Sequence, residues 1–231
     1  MASAPVRFAV IGISHSHIYS QVATLLAAGA EFVSFHSDEP ELAAGFARTF
    51  PQARRVEDER AILEDASIAV VTSASIPSER APLGVRVMQH GKDFLVDKPG
   101  VTDLGQLAEV RRVQEETRRI YSVFFSERFE SRATVRASEL VRQGALGRVI
   151  QIVGLGPHRA SLPSRPPWFF DRARYGGILC DIASHQVDQF LHFAGARTAE
   201  ISSSLVANYA HPEHPGLEDY GEVHLRTPTT T

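Results

Sequence analysis

A single cysteine, Cys180, in 231 residues rules out an intrachain disulfide and fits a reducing compartment. No run of about 18 apolar residues occurs, so no membrane-spanning helix is expected. The opening segment Met1–Pro5 has no basic stretch leading into an apolar one, so no secretory leader is read there and the expected location is cytoplasmic. A basic excess is also lacking. The 24 Lys and Arg face 27 Asp and Glu, a net charge of −3, so no positive field favours nucleic acid or an anionic membrane as partner. Internal repeats and low-complexity linkers are absent. At 43% hydrophobic and 22% charged, the chain reads as globular, long enough for one large domain or two modest ones.

The first half alternates short apolar runs with helical segments. Strands are expected at 7–11, 31–36, 68–72, 93–96 and 120–125, and helices at 18–28, 40–49, 78–90 and from a Thr102-Asp103 cap to about Arg118. That rhythm implies βαβ units and a parallel sheet covered on both faces. From Ser126 it changes. A helix at 131–143, a strand at 147–155, a proline-rich loop at 157–167, a helix at 178–194 and strands at 201–209 and 219–227 are expected. The domain boundary is placed near residue 125, giving domains 1–125 and 126–231.

Three motifs carry chemistry. The first strand ends in Gly12-Ile-Ser-His-Ser-His17 and enters a helix, the arrangement that sets backbone N–H groups and a helix N-terminus against a pyrophosphate. Of the three glycines in G-x-G-x-x-G only Gly12 is present; Ser14 and His17 hold the other positions, Ser16 is a candidate helix cap, and the bulk of His17 is expected to loosen helix–sheet packing. The dinucleotide candidates are Gly12, Ile13, Ser14 and His15 in this turn, Ser37 after the second strand, Thr72 and Ser73 where the third ends, and Asp97 and Lys98. No arginine stands near His36-Ser37-Asp38 to take a 2′-phosphate, and the cofactor is left as NAD or NADP. The second motif, Asp97-Lys98-Pro99, ends the 93–96 strand, where ligands of open α/β sheets bind; the proline stiffens the turn that carries the lysine. The third is the 178–194 helix. Asp181, His185, Asp188 and His192 fall within roughly 60° of one another on it. The plain reading is a polar face meeting water. Its composition of Asp and His alone points instead to proton transfer, with His185 as base and a carboxylate to orient it. Cys180 faces away and is read as a core residue. His211 and His214 lack further ligands, so no metal is expected.

Together these residues resemble the glucose–fructose oxidoreductase/inositol dehydrogenase (Gfo/Idh/MocA) family. The likeness runs through Phe8-Ala-Val-Ile-Gly12, Gly91-Lys-Asp-Phe-Leu-Val-Asp-Lys-Pro99, Phe125-Ser-Glu-Arg-Phe129, Gly144-Ala-Leu-Gly-Arg-Val149 and Gly176-Gly-Ile-Leu-Cys-Asp-Ile-Ala-Ser-His-Gln-Val-Asp188. The resemblance implies an α/β Rossmann domain followed by an α+β domain with an open, mainly antiparallel sheet, shorter than usual, through which the chain forms a homo-oligomer. It implies NAD(P)-dependent hydride transfer at a hydroxyl-bearing carbon of a sugar, polyol or related small molecule. Lys98, Asp181 and His185 become the catalytic group, and Arg128, His158, Arg159, Trp168, Asp181 and His185 the substrate contacts. The alternative is a non-catalytic dinucleotide-binding sensor of the same fold. The chain departs from the family in its degraded glycine turn, where only Gly12 is present, and at three further places: Asp97 replaces a glutamate, Arg80 stands nearest the family's usual histidine, and Ser184 replaces a glycine. Members usually run longer, and Pro228–Thr231 falls where further sheet is expected, leaving an open edge.

Overall fold

The structure, a computed structural model, describes residues 4–227. Part of the opening segment, 1–3, and the closing 228–231 lie outside the described residues. The chain divides into two compact units that meet in sequence at Phe124 and Phe125.

The first unit runs β1 (Arg7–Ile11), α1 (His17–Ala27), β2 (Glu31–His36), α2 (Pro40–Thr49), β3 (Arg54–Arg55), α3 (Arg60–Leu63), β4 (Val70–Ser73), α4 (Pro77–Gln89), β5 (Asp93–Asp97), α5 (Leu104–Thr117) and β6 (Tyr121–Phe124). All pairings are parallel, in the order β3-β2-β1-β4-β5-β6. Alternation along β1 builds both cores. Phe8 and Val10 join Phe35, Phe46 and Ile18 on one face, and Ala9 and Ile11 join Val71, Phe94 and Val87 on the other. Each large side chain fully buried this way contributes about 1.5–3 kcal/mol. With β2 on one side of β1 and β4 on the other, the order reverses at β1, and a crevice opens beyond its carboxyl end. Asp103 caps α5 by accepting from the Gln106 N–H, as its spacing implies. Ser16 does not cap α1: its backbone is already helical and its side chain makes no capping bond. Neither β3 nor α3 is legible from periodicity, because each spans only about one period of its pattern.

The second unit contains α6 (Ser126–Phe129), α7 (Arg132–Arg142), 3₁₀ turns at Leu162–Ser164 and Pro167–Phe170, α8 (Arg172–Tyr175), a π-helical turn (Leu179–Ala183), α9 (Ser184–Ala194), β7 (Glu200–Ala207) and β8 (Tyr220–Arg226). β7 and β8 form an antiparallel pair. Gly221 of β8 lies directly on Ile178 and Leu179, so the sheet rests on the π-turn.

Two expectations fail here. The apolar run at 147–155 is not a strand. A strand exists only where a neighbour pairs with its backbone, and none does among the described residues; instead Gly154 and Gly156 lie against the Gln186 side chain on α9. The expected helix at 178–194 is not one continuous α-helix. Its first turn is a π-turn, entered through Gly176 and Gly177, both at positive φ (90° and 88°). Glu218 fixes that entry by accepting from the Ile178 N–H (2.7 Å) and the Arg172 Nε (2.5 Å).

Candidate functional site

In the first unit, the turn after β1 is held by backbone bonds. Gly12 donates to His36 O, His15 donates to Ala74 O, and Ala74 donates to Gly12 O, tying the ends of β1, β2 and β4 together. Gly12 is the one indispensable glycine here. Its φ is +82°, and an added Cβ would lie 2.6 Å from the Ser75 Cβ. A cavity of about 320 Å³ opens at this point, lined by Gly12, Ser14, Ser37, Glu39, Ser75 and Arg86 among others. The Ser75 Oγ is buried against it without a hydrogen-bond partner. Ser14 donates to Glu39 Oε2 (2.9 Å), and Glu39 takes its own backbone bond to Ser37 Oγ (3.1 Å). The expected dinucleotide residues Gly12, Ser14 and Ser37 thus line one cavity. Ile13 and Thr72 do not line it. Ile13 is buried in the core, and Thr72 donates to the Gln21 Oε1 (2.6 Å). Ser73 accepts from the Ser75 N–H and shapes the loop from behind.

A second cluster forms where β5 ends. Asp97 is buried, and Arg80 donates to its Oδ2 (3.2 Å) and to the carbonyls of Ser75, Asp97, Lys98 and Pro99. Rather than loosening the fold, His17 is anchored: its Nδ1–H donates to both Asp97 oxygens (3.0 and 3.2 Å). That bond places the proton of His17 on Nδ1, since an ionised carboxylate only accepts. His15 accepts the His17 backbone N–H at its own Nδ1 (3.2 Å), so its proton sits on Nε2. Burial opposes ionisation of Asp97, yet Arg80 and then His17 hold its carboxyl well below the usual carboxylate range. His15, His17 and Asp97 are the one grouping of three metal-ligand types among the described residues. Two cations, Arg80 on the same carboxylate and the adjacent Lys98, argue against a further cation there. Lys98 is buried at the strand tip.

Burial first, then the neighbouring His17, push the His15 imidazole down to about 4, with Asp97 pulling the other way. An unfolded histidine titrates near 6.5. Between those values the unfolded chain binds a proton the folded chain resists, so stability is expected to fall as pH falls from 6.5 to 4. The His15 share is on the order of 2–3 kcal/mol. Urea midpoints measured from pH 7 to 4.5 check this, and His15→Gln should show the shallower decline.

In the second unit, the Asp/His stripe does not meet water as an ordinary amphipathic face would. His185 is buried, 2% exposed, with Phe125 edge-on at 6.0 Å. Arg128 grips Asp188 through Nε (2.5 Å) and Nη2 (3.0 Å) and stacks on Phe129. His192 Nε2 contacts Ser138 Oγ (2.8 Å) at an exposed position. Asp181 lies half-buried on the π-turn, a local geometry that recurs at functional sites. Cys180 is half-buried, and burial raises its thiol. Of the remaining substrate candidates, His158 and Arg159 are exposed in an irregular segment. Trp168 is buried against Phe169, so its side chain serves the small core of this unit.

Sequence reasoning missed the roles of Glu39, Ser75, Arg80, Arg86, His17 and Glu218. Only Arg80 and His17 carried a signal, as residues out of place in known patterns.

An open parallel sheet with a glycine turn, helix N-terminus and cavity at its point of reversal defines a dinucleotide-binding α/β protein. Residues 6–125 match the model of the oxidoreductase family with an NAD-binding Rossmann fold, and residues 134–231 match the GFO/IDH/MocA C-terminal domain. The chain belongs to the Gfo/Idh/MocA family. It is 28% identical over 163 residues to levoglucosan dehydrogenase of Pseudarthrobacter phenanthrenivorans, covering 69% of this chain and 42% of that one. It is 25% identical over 220 residues to scyllo-inositol 2-dehydrogenase (NAD(+)) of Bacillus subtilis, covering 94% and 61%. A crystal structure from Erwinia carotovora atroseptica, described as a candidate oxidoreductase, superposes with a TM-score of 0.90 at 42% identity, covering 95% of this chain and 66% of that one. The chain therefore spans about two thirds or less of the length of these relatives. No helix among the described residues is long and apolar enough to cross a membrane.

Proposed function

We propose that the protein is an NAD(P)-dependent oxidoreductase acting on a hydroxyl-bearing carbon of a sugar, polyol or related small molecule. The observation that carries this reading is the cavity at the β1 turn: Gly12 has no room for a side chain, and the buried Ser75 Oγ beside it has no partner. Both suit close approach of a dinucleotide, which Gly12, Ser14, Ser37 and Ser75 would hold with the backbone of Ile13, while the His15 N–H, bonded to Ala74 O, braces the turn. When bound, NAD(P) accepts or donates the hydride. The chain's own residues do the rest. Lys98 stabilises negative charge on the reacting oxygen, and its burial strengthens that effect. His185 takes or gives the hydroxyl proton, and Asp181 orients it or the substrate. Arg128, through Asp188, steadies α9 at the turn after His185. Asp97 acts as a positioning residue, set by Arg80 and His17.

His185→Asn is expected to lower kcat about 10²–10⁴-fold on whichever polyol or sugar is turned over, with kinetics measured well below the midpoint of thermal unfolding because the replaced ring is buried. Unaltered turnover would remove His185 from the chemistry. The catalytic reading is preferred over a non-catalytic sensor because a sensor has no use for a buried lysine at the β5 tip together with a buried histidine behind a π-turn. We also place the protein in the cytoplasm, in keeping with its single cysteine. We expect homo-oligomers through the β7–β8 sheet, where Ile201, Leu205 and Val206 are exposed.

A further inference from the structure

We propose that the cavity at the ends of β1 and β2 selects NAD over NADP, through Glu39 as acceptor for the adenosine ribose diol and through Glu59, which occupies the one guanidinium in the cavity. The inference rests on reading that cavity as the dinucleotide site.

Charge decides the matter. Among the described residues the cavity is lined by four carboxylates, Asp38, Glu39, Glu59 and Glu79, and one guanidinium, Arg86. The sequence alone suggested that no arginine was near. Arg86 corrects this: it arrives from α4, far along the chain. Its fork is taken, because Nε and Nη2 both donate to the Glu59 carboxylate (2.9 and 3.2 Å). Arg54 and Arg55 on β3 are exposed and do not line the cavity. His36, the remaining basic group, leans its Nε2 toward Asp38 (3.3 Å). A 2′-phosphate brings nearly two further negative charges into this setting. A 2′-hydroxyl brings a donor, which suits a carboxylate.

Among the acids, geometry singles out Glu39. Asp38 is almost wholly exposed, whereas Glu39 is held on two sides: its backbone N–H by Ser37 Oγ, and its Oε2 by the Ser14 hydroxyl. A carboxylate offers about four acceptor positions, and Ser14 uses one. The side chain is thus pinned beside the β1 turn with capacity left for a diol. The buried Ser75 Oγ, across the same cavity, is an independent sign that a polar ligand completes this site.

The test is a fluorescence titration of the full chain with NADH and with NADPH, repeated on Glu39→Gln and Glu59→Gln, with thermal unfolding to show that each variant is folded. NADH is expected to bind at least about 100-fold more tightly than NADPH. Glu39→Gln should weaken NADH about 10-fold and narrow the ratio. Glu59→Gln should leave NADH within about threefold and strengthen NADPH about 10-fold, by releasing Arg86. Equal or tighter binding of NADPH to the unaltered chain overturns the selectivity and leaves the dinucleotide reading intact. A preference for NADH that survives both substitutions overturns the assignment to these residues. Binding of neither nucleotide overturns the reading of the cavity itself, and this inference with it.

Discussion

Lys98→Ala is expected to lower kcat about 10²–10³-fold while changing the affinity for NADH no more than about threefold. The asymmetry follows from where the lysine sits. It stands one residue past β5, buried, at the carboxyl end of the sheet, and its neighbour Asp97 is paired with the Arg80 guanidinium and accepts from His17 Nδ1. On the reading proposed above, the ammonium acts on charge that develops during the reaction, while Arg80 is the counter-charge that grips the Asp97 carboxylate. A group that stabilises such charge affects kcat and kcat/KM together and leaves ground-state binding nearly alone. Steady-state kinetics on the best substrate of a sugar and polyol panel, alongside the NADH titration, separates the two. Lys98→Met keeps the apolar stem and guards against a mere packing defect. A loss confined to KM would recast Lys98 as a binding residue.

Arg80→Ala should cost about 3–5 kcal/mol of stability in the first unit, the largest effect of any single replacement outside the apolar core. The guanidinium is 1% exposed. Removing it strips the buried Asp97 of its main counter-charge and leaves carbonyls of Ser75, Asp97, Lys98 and Pro99 without that donor. With domains stable by only about 5–15 kcal/mol, the loss is a large share of the total. Arg80→Lys keeps the charge but not the fork, and should fall between the two. The pH dependence gives the sign. In the parent, Asp97 is held below the usual range, so its contribution is present above about pH 4, the unfolded value, and is lost as pH falls toward the folded one. In Arg80→Ala, burial is less opposed and Asp97 protonates more readily, so the gap between variant and parent should narrow below pH 4. Chemical denaturation at pH 7 and at pH 3.5 measures both. A constant gap would show that the carbonyl bonds, and not the ion pair, carry the effect.

The first unit was largely legible because its signals are local and repeated. Alternating strand and helix periods, Gly12 at a turn that admits no side chain, and Asp97-Lys98 at a strand end all follow from short stretches of sequence. What could not be read there depends on residues distant in the chain. Glu39 meets Ser14 across 25 residues, Arg86 meets Glu59 across 27, and His17 meets Asp97 across 80. No period or spacing encodes such pairs. The second unit was read less well because its elements depend on partners. The 147–155 run has the apolar composition of a strand but no strand beside it among the described residues. The 178–194 segment has helical periodicity, which does not distinguish a π-turn from an α-turn. The stripe of Asp181, His185, Asp188 and His192 is visible in the sequence; that His185 is buried while His192 stays exposed is not, because burial is set by packing against residues distant in the chain, such as Phe125.

The account stands or falls on whether a nicotinamide dinucleotide occupies the crevice beyond β1. Titrating the folded chain with NADH, followed by the change in nicotinamide fluorescence, measures this directly. Saturable binding of one equivalent at micromolar concentration is the result the account requires. A folded chain that leaves NADH fluorescence unchanged up to millimolar concentration would contradict it.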